Sequence, residues 1–159
     1  MYNKLLFFSL LAILALSSCS KDLPDPGATK AVKMANEWWV TLTVNGEDLY
    51  GLGHQKIATY NSSENSDSLW VDDYKNLWQF KCKALANFND LTFATTNAQN
   101  EYYDITVNLA NGKIFPGMGV SKTGNVTDSI YMEAEFSDDP GTKYVISGHA
   151  RTKWRDDDY

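Results

Sequence analysis

The chain has 159 residues, with 14 Lys and Arg against 20 Asp and Glu, a net charge of −6. That balance argues against nucleic-acid binding, which needs phosphate-neutralising cations, and against electrostatic docking on anionic lipid. A 43% apolar content, with 13% aromatic residues, is enough for one well-filled core.

The first twenty residues, MYNKLLFFSLLAILALSSCS, carry one Lys and then an apolar run from Leu5 to Leu16. A charged start, an apolar stretch and small residues before a cleavage point make a secretory leader. The run is too short for a comfortable transmembrane helix. LSSC, ending at Cys19, resembles the lipobox of bacterial lipoproteins, in which the Cys becomes the lipidated first residue. Ser20, Lys21 and Asp22 resemble the signal that sends some lipoproteins of diderm bacteria to the cell surface. The division expected is a leader over 1–18, a lipidated tether over 19–25 and a barrel domain over 26–159. The mature chain then sits in the outer membrane, facing the cell exterior, with the periplasmic face as the alternative. Loss of Lys4 with the leader takes the balance to 13 cations against 20 acids. With Cys19 lipidated, Cys82 has no partner for an intramolecular disulfide, and as a free thiol outside the cell it should be buried.

Asp25-Pro26 reads as an N-cap with proline at the first helical position, and predicts a short helix over Pro26 to Ala35. From Trp38 the chain alternates. Trp38, Val40, Leu42 and Val44 share one face, and Trp39, Thr41 and Thr43 the other. Trp39 is thus left either under the helix or exposed for a partner. Asn45-Gly46 is a hairpin signal, because both central residues of that turn need positive φ, and a second strand is expected near Glu47. QKIATYN and LWVDD read as strands, with a polar loop from Ser62 to Ser68 between them. LWQFKCKAL sets Trp78, Phe80, Cys82 and Ala84 against Gln79, Lys81 and Lys83.

DLTFATT, YYDITVNL and KIFPGMGV follow, with a hairpin expected at Asn111-Gly112. DSIYMEAEF alternates Ile130, Met132, Ala134 and Phe136 with Tyr131, Glu133 and Glu135. Asp139-Pro140-Gly141 suits a type II turn. KYVISGHARTKW is the last strand, and RDDDY a charged tail expected to fray. Eight to ten sequential strands joined by short turns hide their edges best by closing into an up-and-down antiparallel barrel, with a sandwich as the alternative.

A short helix, a first strand opening on Trp and a last strand ending in Arg resemble the lipocalin and calycin pattern. Its Gly-x-Trp mark is Asn36-Glu37-Trp38 here, and the Arg that packs over the Trp is Arg151 or Arg155. The resemblance makes Trp38, Arg151 and Arg155 the closure of the barrel floor. A closer resemblance runs through NEWWVTL, LWVDD, LWQFKCK, YDITVNLANGKI, GNVTDSIYMEAEFSDDPG and YVISGHARTKW. These pieces, in this order, resemble the lipid-binding putative hydrolases, a family of lipoproteins from gut-type diderm bacteria. That resemblance implies a lipocalin-like barrel.

The residues themselves offer little catalysis. Ser147 and His149 share one strand face, but a triad also needs an acid and oxyanion donors, and no Gly-x-Ser-x-Gly elbow is present. The acidic pairs Asp72-Asp73 and Asp138-Asp139 and the run Asp156-Asp157-Asp158 lack calcium-loop spacing and read as solvated turn charges. No metal and no cofactor is expected. The apolar strand faces place Trp78, Phe80, Ile105, Ile130, Met132, Phe136, Tyr144 and Ile146 inside the barrel as candidate ligand contacts. The expected function is binding of a small apolar or lipid-like ligand. The alternatives are a glycan- or protein-interaction module, with Trp39, Tyr102 and Tyr131 as stacking platforms, and third a weak esterase using Ser147 and His149.

Overall fold

The computed structural model describes residues 27–159. The leader, Cys19, the tether and the Asp25-Pro26 cap lie outside the described residues. Among the described residues eight strands run in chain order: β1 (Asn36–Thr43), β2 (Gln55–Asn61), β3 (Ser68–Asp72), β4 (Lys81–Asn87), β5 (Thr92–Gln99), β6 (Thr106–Val120), β7 (Val126–Phe136) and β8 (Asp139–Ala150). Each pairs antiparallel with the next. β8 returns to β1, from Trp38 opposite Ala150 to Thr43 opposite Val145, so the sheet is a closed barrel. Among the described residues closure leaves no edge strand to template pairing with another chain. Gly148 makes the seam possible, because a Cβ there would collide with the Trp39 carbonyl.

The alternation read from the sequence fills the interior. Trp38, Val40 and Leu42 of β1 point inward, as do Cys82 and Ala84 of β4, Ile130, Met132, Ala134 and Phe136 of β7, and Tyr144 and Ile146 of β8. Cys82 is free and buried, and burial, then the nearby Asp73 charge, push its thiol up to about 12.

Several local elements differ from those the sequence predicts. The N-terminal helix is only a turn, bonded from Val32 N–H to the Thr29 carbonyl and from the Met34 and Ala35 N–H groups to the Ala31 carbonyl. Gly27 is left-handed, at φ +66°, so helix cannot extend back through it. One turn suffices, since Ala31 and Met34 both lie on its buried side.

Asn45 and Gly46 take the positive φ values of 52° and 85° that the hairpin needs. Beyond them only Val44 and Glu47 pair. The Asp48 carboxylate captures the N–H groups of Leu52 and Gly53 and holds a loop until β2 starts at Gln55. In LWQFKCKAL, Gln79 is left-handed, at φ 56°, so the strand begins only at Lys81.

Asn111-Gly112 makes no hairpin. It is a bulge inside the fifteen-residue β6, where the register slips between Ala110 and Lys113. A side chain at position 112 would collide with Phe93. The β7–β8 turn is Ser137-Asp138, and Asp139 already pairs with Phe136. The positive φ of Gly141, 85°, bends β8 beside a register shift rather than forming the turn. β8 stops at Ala150, short of the expected Trp154, and the chain goes on to a 3-10 turn over Arg155–Asp157.

The C-terminal tail does not fray. Asp157 is buried and accepts bonds from the Thr123 amide and hydroxyl and from the Thr152 hydroxyl. Asp158 takes the Arg151 guanidinium at 2.7 and 2.6 Å. Two carboxylates read as solvated charges are therefore internal acceptors.

Candidate ligand site at the mouth of the barrel

The barrel has two different ends. Its base is closed by the turn before β1 and by the β2–β3, β4–β5 and β6–β7 turns, and the C-terminal tail leaves β8 there. At the base the Trp38 Nε1–H donates to the Thr59 hydroxyl at 2.8 Å, and that hydroxyl donates to the Met34 carbonyl. Trp38 is fully buried. Arg151 lies beside it in the chain path, its N–H bonded to the Glu37 carbonyl. Its guanidinium engages carboxylates, Glu37 at 2.8 Å and Asp158, and among the described cation–ring contacts none joins it to Trp38. Arg155 is exposed in the 3-10 turn.

The other end, the mouth, is closed by side chains on loops. The β3–β4 loop is organised by Asp73, whose buried carboxylate accepts four backbone N–H groups. Oδ1 takes those of Lys75 and Phe80, at 2.7 and 3.0 Å, and Oδ2 those of Leu77 and Trp78, at 3.2 and 2.8 Å. Burial pushes this carboxyl upward against the pull of the four donors. The loop delivers Trp78 onto the mouth, where its ring stacks on Phe136 with centroids 5.1 Å apart and planes 9° from parallel. Trp78 also packs against Tyr144 at 4.8 Å.

Tyr50, from the β1–β2 loop and 51% exposed, sets its edge on Trp78 and bonds its hydroxyl to that of Tyr144 at 3.1 Å. Tyr144 in turn donates to Asp139. Asp138 accepts the Trp78 Nε1–H at 3.1 Å and the Tyr103 hydroxyl at 2.9 Å. Burial and then the bond to Asp138 push the Tyr103 phenol up to about 12, and burial and Asp139 raise Tyr144 further, so both stay neutral donors. Asp138 and Asp139, read as solvated turn charges, instead pin the aromatic plug.

The candidate interior residues divide by depth. Trp78 is half-buried at the mouth, and Phe136, Tyr144 and Phe80 lie directly beneath, with Phe80 and Phe136 5.4 Å apart. Ile130, Met132 and Ile146 lie deeper on β7 and β8, and Ile105 is buried just before β6. Phe80, Ile130, Met132, Phe136, Tyr144 and Ile146 all have 0% exposure, so none meets a gap that admits water. Open space lies outside this stack. A hollow of about 400 Å³ beside Trp78 is lined by Leu77, Gln79, Tyr103 and Asp138. A larger one, about 690 Å³, is on the outer wall by Leu85 and Phe93, away from the plug. Tyr50 carried no periodic signal, because it acts from a loop, and Asp73 and Tyr103, at the ends of the expected strands LWVDD and YYDITVNL, lie instead on loops just outside β3 and β6.

Ser147 and His149 point outward from β8, as their spacing required. No hydrogen bond joins them among the described residues. His149 bonds the Ala150 carbonyl and the Tyr159 hydroxyl instead, at 3.1 and 3.3 Å. His54 stacks on Tyr159 at 3.9 Å. Trp39 is covered by the C-terminal tail rather than by an N-terminal helix, through Asp158 at 3.3 Å and the Tyr159 ring at 5.5 Å. Tyr102 donates to Asp72 under the Lys75 ammonium, and Tyr131 donates to Glu133.

A closed meander of eight strands, filled below and stoppered by loop aromatics above, defines the class of small lipocalin-like barrels. Within that class the match is specific. The model of the family described as "lipid-binding putative hydrolase" matches residues 23–155, and the chain belongs to that family. None of the curated proteins matches the chain.

Proposed function

We propose that this protein is an outer-membrane lipoprotein, anchored through lipidated Cys19, whose barrel takes a small apolar or lipid-like ligand at its mouth. The observation that carries the ligand reading is the plug. Tyr50 and Trp78 sit on loops and cover an unbroken aromatic column of Tyr144, Phe136 and Phe80. Swinging those two side chains aside exposes an apolar lining without breaking a strand ladder. Interior bonds at the base offer no comparable opening. The family's description and the barrel fit the same reading. The packed interior favours a second reading, a surface module for a glycan or a protein partner, with the hollow of Trp78, Gln79, Tyr103 and Asp138 as its contact.

The test is an organic extract of the lipidated protein purified from bacterial membranes, analysed by mass spectrometry. A stoichiometric apolar compound, depleted in Trp78→Ala, is expected. An extract free of any such compound favours the surface module.

A further inference from the structure

We infer that the base of the barrel rests on the lipid bilayer, so that the mouth opens away from the membrane. This deepens the reading of Cys19 as a lipid anchor and rests on it. Val32, Met118, Val120, Val126 and Trp154 are each more than half exposed, and all lie at the base. Val120 pairs with Val126 where β6 turns into β7. The 3-10 turn that follows Trp154 is tied to the same turn through Asp157 and Thr123. Val32 projects from the turn under the barrel floor. Exposed apolar side chains gathered at one end mark an interaction surface.

The chain outside the described residues says what covers it. The described chain starts at Gly27, at this same end, and the seven residues from Ser20 to Pro26 join it to Cys19. Fully extended they reach about 25 Å, so a lipid on Cys19 keeps the base within a barrel's length of the bilayer surface. An indole at a membrane–water boundary is at home with its ring among acyl carbons and its N–H among headgroups. Charge does not drive the contact, since Lys33, Lys153 and Arg155 share the base with Glu64, Asp90 and Asp156. The mouth is a poorer face for lipid. Three of its four exposed large side chains are tyrosines, and Asp48, Glu101, Asp104 and Asp138 surround them.

The experiment uses the full lipidated protein, reconstituted into phosphatidylcholine vesicles in which some lipids carry a nitroxide on the acyl chain. Tryptophan emission of wild type is compared with Trp154→Phe and Trp78→Phe, and flotation and intact mass are recorded for each. Nitroxide-dependent quenching that is lost in Trp154→Phe and kept in Trp78→Phe supports the inference. Flotation without quenching of Trp154, or quenching lost in Trp78→Phe, overturns it and leaves the anchor standing. Wild type that fails to float, or whose intact mass shows no acyl chains on Cys19, overturns the anchor and the inference with it.

Discussion

Asp73→Asn tests how the mouth is built. The substitution keeps size and shape and keeps an oxygen for the Lys75 and Phe80 N–H groups. It sets an NH2 where Oδ2 accepted the Leu77 and Trp78 N–H groups, at 3.2 and 2.8 Å. Two bonds to a charged acceptor are lost, each contributing about 1.5–3 kcal/mol, and two donors now face donors. Removing a buried charge offsets part of this, since burial already pushes the Asp73 carboxyl upward. A net loss of about 2–4 kcal/mol follows, and for a domain of this size a melting point roughly 8–15 °C lower. Urea unfolding and a thermal melt measure it. Trp78 should also become more accessible to acrylamide, because its own N–H is one of the donors released. A variant melting within about 2 °C of wild type, a loss below roughly 0.5 kcal/mol, with unchanged acrylamide quenching, would show that Asp73 does not hold the loop. The loop would then be held by its other ties, among them Trp78–Phe136 stacking and the Trp78 bond to Asp138.

Trp38→Phe removes the indole bond to Thr59 and leaves a small void at the floor, and should cost about 2–3 kcal/mol by chemical denaturation. Cys82, buried and with its thiol pushed up to about 12, should not react with a thiol reagent at about pH 8 until the protein unfolds, since roughly one thiol in ten thousand is ionised there. The C-terminal tail should release in acid. Arg151 holds the carboxyls of Glu37 and Asp158 below the usual carboxylate range, and the Thr123 and Thr152 hydroxyls hold Asp157 down. Folded values below the unfolded ones give stability that is present above about pH 4 and lost as pH falls through the folded values. Faster exchange of the Trp39 indole proton below about pH 4, with the barrel amides still protected, is the expected signature.

Strand faces were legible because a period of two is written directly in the residues. Phe136, Met132 and Ile130 could be set inside from DSIYMEAEF alone. Turn chemistry was legible only where nothing else competed. Asn45-Gly46 turned as expected, whereas Asn111-Gly112 has the same dipeptide and forms a bulge, because β5 lies across it and Phe93 fills the space that a side chain there would need. Asp73, Asp138 and Asp157 read as solvated charges because a carboxylate's partners are set by tertiary contact. For these three the partners come from neighbouring backbone, from Tyr103 thirty-five residues away and from Thr123 thirty-four away. Tyr50 had no pattern to betray it for the same reason. The two tryptophans of β1 divided as the pleat demands, one into the floor and one out, but the cover over Trp39 came from the far end of the chain.

The proposed apolar ligand enters the mouth past Tyr50 and Trp78. Titration of the lipidated protein in detergent with cis-parinaric acid, followed by energy transfer from tryptophan, tests entry there. Saturable binding at one site per chain, with transfer that falls sharply in Trp78→Phe, is the predicted result. Non-saturable transfer equal in wild type and in Trp78→Phe would rule out a site at the mouth.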